Sequence, residues 1–299
     1  MKKLLLLVTL VLGLFGAGFG QACYETAKEV RPTMSKETEM KYSQALEEAA
    51  IAAAKSLNAD TAIWYARRKG YLGKYKDVIE ALTIAMQKFP NDARMYRHRG
   101  HRFITLRCFD DAISDFKKAA ALTKGKPDEI EPDGLPNAKN IPTSTLQSNI
   151  WYHLGLAYYL KGDLKNAIKA YKECMKVSKN NDMLAATTHW YYMSLRQSGK
   201  HNEAKKLLKP FDNKFEVIEN DDYLKLLRMY RGVVTADVLS KELGDKAQTL
   251  GNASIGYGLA VWYYYTGEKE KAYKMLERIV NGNQWASFGY IAAEAELAR

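Results

Sequence analysis

Between residues 95 and 103 the chain reads MYRHRGHRF, which gathers Arg97, His98, Arg99, His101 and Arg102 on a single short stretch. Side chains of these types open three chemistries. Guanidinium forks grip carboxylate or phosphate oxygens two at a time. Imidazoles three residues apart lie on one helix turn, so His98 and His101 could share a metal ion if His153 or His189 completed a zinc-like set. A basic stretch with interleaved aromatics also attracts nucleic-acid phosphates. Downstream, Asp128, Glu129, Glu131 and Asp133 form an acidic run. It could join the histidines as a general acid-base constellation, or fill a basic groove as an internal ligand. The Gly-x-Ser-x-Gly, His-Glu-x-x-His and Gly-x-x-x-x-Gly-Lys patterns are all missing, as is a paired-cysteine motif. No catalytic residue and no cofactor are therefore assigned.

The beginning of the chain indicates where this chemistry would operate. Lys2 and Lys3 precede an apolar run from Leu4 to Leu14, followed by small residues, the form of an export signal. The run is too short to span a bilayer comfortably. Gln21-Ala22-Cys23 resembles the end of a bacterial lipoprotein signal, with residues 1–22 removed and Cys23 lipidated as the first mature residue. Gly18-Phe19-Gly20 offers the small-x-small alternative for ordinary signal peptidase. Without the two lysines the formal charge falls from +11 to +9, still basic. Export argues against a nucleic-acid partner and in favour of an anionic envelope surface. In an oxidising compartment cysteines pair. Setting Cys23 aside leaves Cys108 and Cys174, with Cys174 expected as a buried free thiol and a bridge between the two as the alternative.

The elements that hold the cluster follow from an internal repeat. Tyr96, Gly100, Phe103, Ala112 and Phe116 recur in the same order and spacing as Trp151, Gly155, Tyr158, Ala167 and Tyr171. This pattern resembles the tetratricopeptide repeat, a 34-residue pair of antiparallel helices in which glycine and alanine allow close approach. The expected fold is all-α: a right-handed superhelical solenoid with capping helices at both ends. After a signal at 1–22 and a linker at 24–34, units are expected at about 59–92, 93–126, 148–181, 185–218, 253–281 and, degenerate, at 222–243. Ser35 would cap the helix that opens the 35–299 array, and residues 284–298 would form the final cap. Four of the seven prolines, Pro127, Pro132, Pro136 and Pro142, mark an insertion loop over 124–147.

In such arrays the first helix of each pair lines the concave face. The resemblance then places Trp64, Arg67, Arg97, His98, His101, Tyr152, His153, His189 and Trp190 along one basic, aromatic groove, and leaves Arg99 without a role. The same resemblance implies a non-catalytic scaffold or adaptor in the periplasm or outer membrane, binding a protein or peptide partner, with an anionic one suiting the basic groove. A hydrolase or metal-dependent enzyme, or a small-ligand or glycan binder, using the histidine-lined groove stands as the alternative.

Overall fold

The computed structural model describes residues 22–244 and 250–299, so the expected export signal lies outside the described residues except for Ala22. Among these residues there are fifteen helices and no strand beyond an isolated bridge between Ile130 and Thr145. After a single turn, α1 (Cys23–Thr26), and an N-terminal helix, α2 (Lys36–Lys55), the chain runs through successive antiparallel pairs. These are α3 (Ala59–Tyr71) with α4 (Tyr75–Lys88), α5 (Ala93–Thr105) with α6 (Phe109–Thr123), α7 (Leu146–Lys161) with α8 (Leu164–Val177), and α9 (Asn181–Gln197) with α10 (His201–Leu207). A reduced pair follows, α11 (Asp221–Arg231) and α12 (Ala236–Leu243), then α13 (Leu250–Tyr265) with α14 (Lys269–Val280), and finally α15 (Phe288–Leu297). The expected all-α solenoid is the observed one.

Local chemistry accounts for the pairs. Ser35, Asn58, Thr145 and Asn180 each accept a hydrogen bond from the backbone N–H three residues on, satisfying a donor that helix geometry leaves unpaired. Inside a pair, Gly100 faces Phe116 and Gly155 faces Tyr171 so closely that a Cβ would stand 2.9 and 2.6 Å from ring carbons. The turn between two helices of a pair needs a left-handed residue, supplied by glycine at 73, 162, 199, 232 and 267. In the second unit that position holds Arg107, at φ 64°.

Residues 24–34, expected as a linker, instead lie along the first two units. Cys23 is disulfide-bonded to Cys108 at the start of α6, Tyr24 packs on Phe103, and Glu29 accepts a hydrogen bond from the Lys76 backbone N–H at 2.8 Å. One sulfur cannot hold both a disulfide and a thioether, so the lipidation expected at Cys23 is excluded in this bonded state. The alternative bridge between Cys108 and Cys174 falls with it. Cys174 is a buried thiol beside Thr187 and the Ser148 carbonyl, and burial pushes its pKa up to about 11.

The final segment covers α13 and α14, and it also reaches back across the stack. Trp285 stacks on Tyr75, while Arg107 lies 3.9 Å over the Trp285 ring and forms an ion pair with Glu294. The same segment therefore caps the last unit and crosses to the first two.

Candidate functional site

Helices α3, α5 and α7 carry most of the expected groove residues on one wall, and the insertion loop lies against that wall. Asp128 anchors the start of the loop by accepting hydrogen bonds from the Thr145 hydroxyl at 2.6 Å and the Gln147 backbone at 3.0 Å, where the amino end of α7 favours a carboxylate. Two backbone hydrogen bonds, Glu131 N to Ser144 O and Leu146 N to Glu129 O, then hold residues 129–131 alongside 144–146. The result is that Glu131 points inward. Its carboxylate meets Arg97 at 2.9 Å and accepts from the Asn149 amide at 3.1 Å, and both charged side chains are buried. One residue further, Arg67 donates to the Pro132 carbonyl at 2.8 Å while its guanidinium lies 4.5 Å over Trp64. Gly134 comes so near the Tyr71 hydroxyl that no side chain fits there.

The three histidines of this wall, His98, His101 and His153, are held neutral. Burial, followed by the charge of Arg97, pushes His98 and His153 well below the ordinary imidazole range, and burial with Arg102 does the same to His101. His98 Nδ1 lies 3.1 Å from the Arg97 guanidinium, and His153 Nδ1 lies 2.6 Å from the Asn149 carbonyl, an acceptor that fixes the proton on that nitrogen. His101 packs against His153 with centroids 4.7 Å apart and the rings tilted by 43°, and Phe288 from α15 packs on both rings.

Two of the expected groove residues are in the core instead. His189 and Trp190 are each 1% exposed, covered by Tyr223 and Tyr230 of α11 and Tyr257 of α13. Register along α9 gives their direction but not the later helices that close over them. Nor do His98 and His101 assemble a ligand set. Among the described residues, the group of three that brings metal-ligating atoms together is Cys23, Cys108 and Asp111, two of them joined as a disulfide.

What stays open between the loop, α7 and α15 is a chamber of about 490 Å³, lined by Arg97, His101, Tyr152, His153, Asp222 and Phe288 among others. The Tyr152 and Tyr223 hydroxyls meet at 3.2 Å in its wall. A narrower cavity of about 140 Å³ lies between Arg67, Arg97, His98 and Arg102. Register alone misses Asn149 and Phe288. The acidic run does signal Glu131, whereas nothing in the repeat spacing signals that Phe288 returns to α5 and α7. Arg99 is now placed: it forms a two-pronged pair with Asp115, at 2.8 and 2.7 Å, and donates to Thr83, tying α4, α5 and α6 together.

Tetratricopeptide repeat family models match residues 148–181 and 256–281, the first enclosing most of α7 and all of α8, the second most of α13 and all of α14. Human tetratricopeptide repeat protein 13 is 29% identical over 105 residues, which is 35% of this chain and 10% of the relative. The chain thus spans about a tenth of that relative's length. Solved structures with similar folds include YrrB, described as a TPR protein with an unusual peptide-binding site (16% identical, 85% of this chain, 100% of that one, TM-score 0.45). MamA (19% identical, 57% and 88% covered, TM-score 0.43) and the P58(IPK) TPR domain (15%, 87% and 76%, TM-score 0.32) are others. The chain contains tetratricopeptide repeats.

Proposed function

We propose that the protein is a non-catalytic scaffold or adaptor, exported to the bacterial cell envelope, that takes an acidic segment of a partner protein on the Arg67 and Arg97 wall of its concave face. The observation that carries this is the occupant already there. Glu131, in an extended stretch of the chain's own loop, is gripped by Arg97 and Asn149 while Arg67 holds the next carbonyl. A groove that buries a carboxylate in this way fits an acidic extended chain supplied from outside. Partner binding would then require the loop to leave, and the apparent affinity would be reduced by the fraction of time the loop is in place. Export is supported by the basic, apolar start of the sequence and by the Cys23–Cys108 disulfide, a bond of oxidising compartments.

Charge reversal at Arg97 is a poor test, because a carboxylate there would face buried Glu131, and breaking a buried pair costs about 3 to 5 kcal/mol. Lost folding would look like lost binding. Glu131→Gln weakens the internal ligand while leaving Asn149 a partner, and Arg67→Glu reverses a half-buried charge on the wall. In-cell crosslinking of envelope fractions, followed by mass spectrometry, should recover more of one partner with Glu131→Gln and less with Arg67→Glu. Equal recovery with both variants and the natural chain would remove the groove from the account.

A second reading rests on the chamber. At about 490 Å³, with Arg97 and Asp222 in its wall, it has the size of a small-ligand site while the loop and α15 stay in place. A small ligand would protect the loop from proteolysis, whereas an acidic partner chain would expose it.

A further inference from the structure

Away from the concave groove, α10 runs only from His201 to Leu207, half the length of α8, and a cleft opens beside it. Two cavities of about 490 and 640 Å³ share Arg196 and His201 in their walls. The smaller one is cationic: Arg196, Lys205, Lys209 and Arg231 line it with no carboxylate in its wall, and none of the four is in an ion pair among the described residues. Its floor is aromatic, with Tyr192 stacked on Tyr230 at 4.5 Å and Trp262 beyond. The larger one is apolar and tyrosine-rich. Val261, Leu276 and Tyr265 form its base, Tyr264 and Tyr273 stand 46% and 47% exposed at its rim, and its single carboxylate, Glu296, is already paired with Arg299. Arg196 sits at the junction, 4.9 Å from the Tyr265 ring, with a buried Nε that has no hydrogen-bond partner.

Last-turn arginines such as Arg196 and Arg231 complement the carbonyl ends of their helices, a sufficient reason for a basic residue at each. That reason does not extend to Lys209, which follows the end of α10, nor to the tyrosines of the neighbouring cavity. Unpaired cations gathered around a concavity repel one another and raise its affinity for anions. We infer that this cleft is a second docking site, separate from the groove, for an amphipathic acidic segment of a partner polypeptide: carboxylates enter beside Lys205, Lys209 and Arg231, and apolar side chains settle against Tyr264, Tyr265 and Tyr273. Arg196 is the element common to both halves, presenting a guanidinium edge to a carboxylate while its face lies on tyrosine. The cleft is concave, with its cations lining the wall around an aromatic floor, which suits a chain segment better than a flat lipid surface.

The test uses a synthetic twelve-residue peptide of alternating glutamate and leucine or tyrosine, its glutamine counterpart, inorganic phosphate, and vesicles containing anionic phosphatidylglycerol. Binding is read by fluorescence anisotropy, and the contact is mapped with a photoreactive peptide. Lys205 and Lys209 are exposed, so Lys205→Glu with Lys209→Glu keeps the fold, which circular dichroism verifies. Lys117→Glu with Lys118→Glu, equally exposed on α6, makes the same change in net charge elsewhere. The acidic peptide should bind the natural chain and crosslink to α10 or α13. The first double variant should weaken binding by about tenfold or more, and the second by less than about twofold. Five results would overturn the inference: no binding of the acidic peptide, equal binding of the glutamine peptide, equal loss in both double variants, binding of vesicles or phosphate without the peptide, or loss confined to an Arg67→Glu variant. Loss confined to Arg67→Glu would assign the peptide to the concave groove, overturning the second site and supporting the groove.

Discussion

His189 occupies a fully buried position between the Tyr223 and Tyr230 rings, with its Nδ1 lacking a hydrogen-bond partner, and burial alone pulls its pKa down to about 3. The folded state therefore holds this imidazole neutral while the unfolded chain protonates it near its ordinary value. Between those two values the unfolded state binds more protons, so stability is full above about pH 6.5 and falls as pH drops. At pH 5 this one group removes about 2 kcal/mol relative to pH 7.5, one pKa unit being about 1.4 kcal/mol. His98, His101 and His153 shift in the same direction and steepen the same window. His189→Phe keeps the stacking and loses the titration. Urea unfolding at pH 7.5 and 5.0 should show a smaller difference between the two pH values in the variant, by about 2 kcal/mol. Taking the difference within each protein cancels the change in packing, and an unchanged difference would mean that His189 is not the buried base described here.

Among elements, the turn between α5 and α6 breaks the rule of its neighbours. Elsewhere the residue at that turn is glycine, but here Arg107 takes the left-handed conformation at a cost of about 1 to 2 kcal/mol. Its side chain offsets this by lying on Trp285, pairing with Glu294 and donating to the Trp285 carbonyl at 2.9 Å. Arg107→Gly relaxes the backbone and releases α15. Amide exchange should accelerate in residues 285–297 while α5 and α6 keep their protection. Equal exchange in α15 would show that its packing on α13 and α14 suffices. Local patterns make much of the fold legible in sequence. Gly100 with Phe116 and Gly155 with Tyr171 repeat at one spacing because each fixes a contact within a single helix pair. Ser35 reads as a cap because its partner is three residues away. The 34-residue register even sets Arg107 level with Gly73, yet what Arg107 holds is 178 residues distant and no periodicity encodes it. His189 and Trp190 elude the register for the same reason, since the rings that bury them come from α11 and α13.

At the scale of the whole molecule, a solenoid is nearly one-dimensional: each unit touches its neighbours and the ends are independent. In this one the second unit ties the two terminal segments together. Cys108 holds Cys23, and Arg107, its neighbour in sequence, holds Trp285 and Glu294, so both terminal segments converge on the second unit. The disulfide links residues 85 apart in sequence, and by chain entropy it destabilises the unfolded state by about 4.5 kcal/mol. Arg107 extends the tie through the folded state only. Together they should make separate units unfold as one, because losing the second unit releases α1 on one side and α15 on the other. Urea unfolding of the natural chain, followed both by tryptophan fluorescence and by far-ultraviolet circular dichroism, should give coincident transitions. Cys23→Ala lowers the midpoint, and combined with Arg107→Gly it should also separate the two probes, as an untied array melts from its weaker end. If the double variant is less stable but its two curves still coincide, cooperativity resides in the interfaces between units, and the shared anchor at Arg107 and Cys108 adds stability without adding unity.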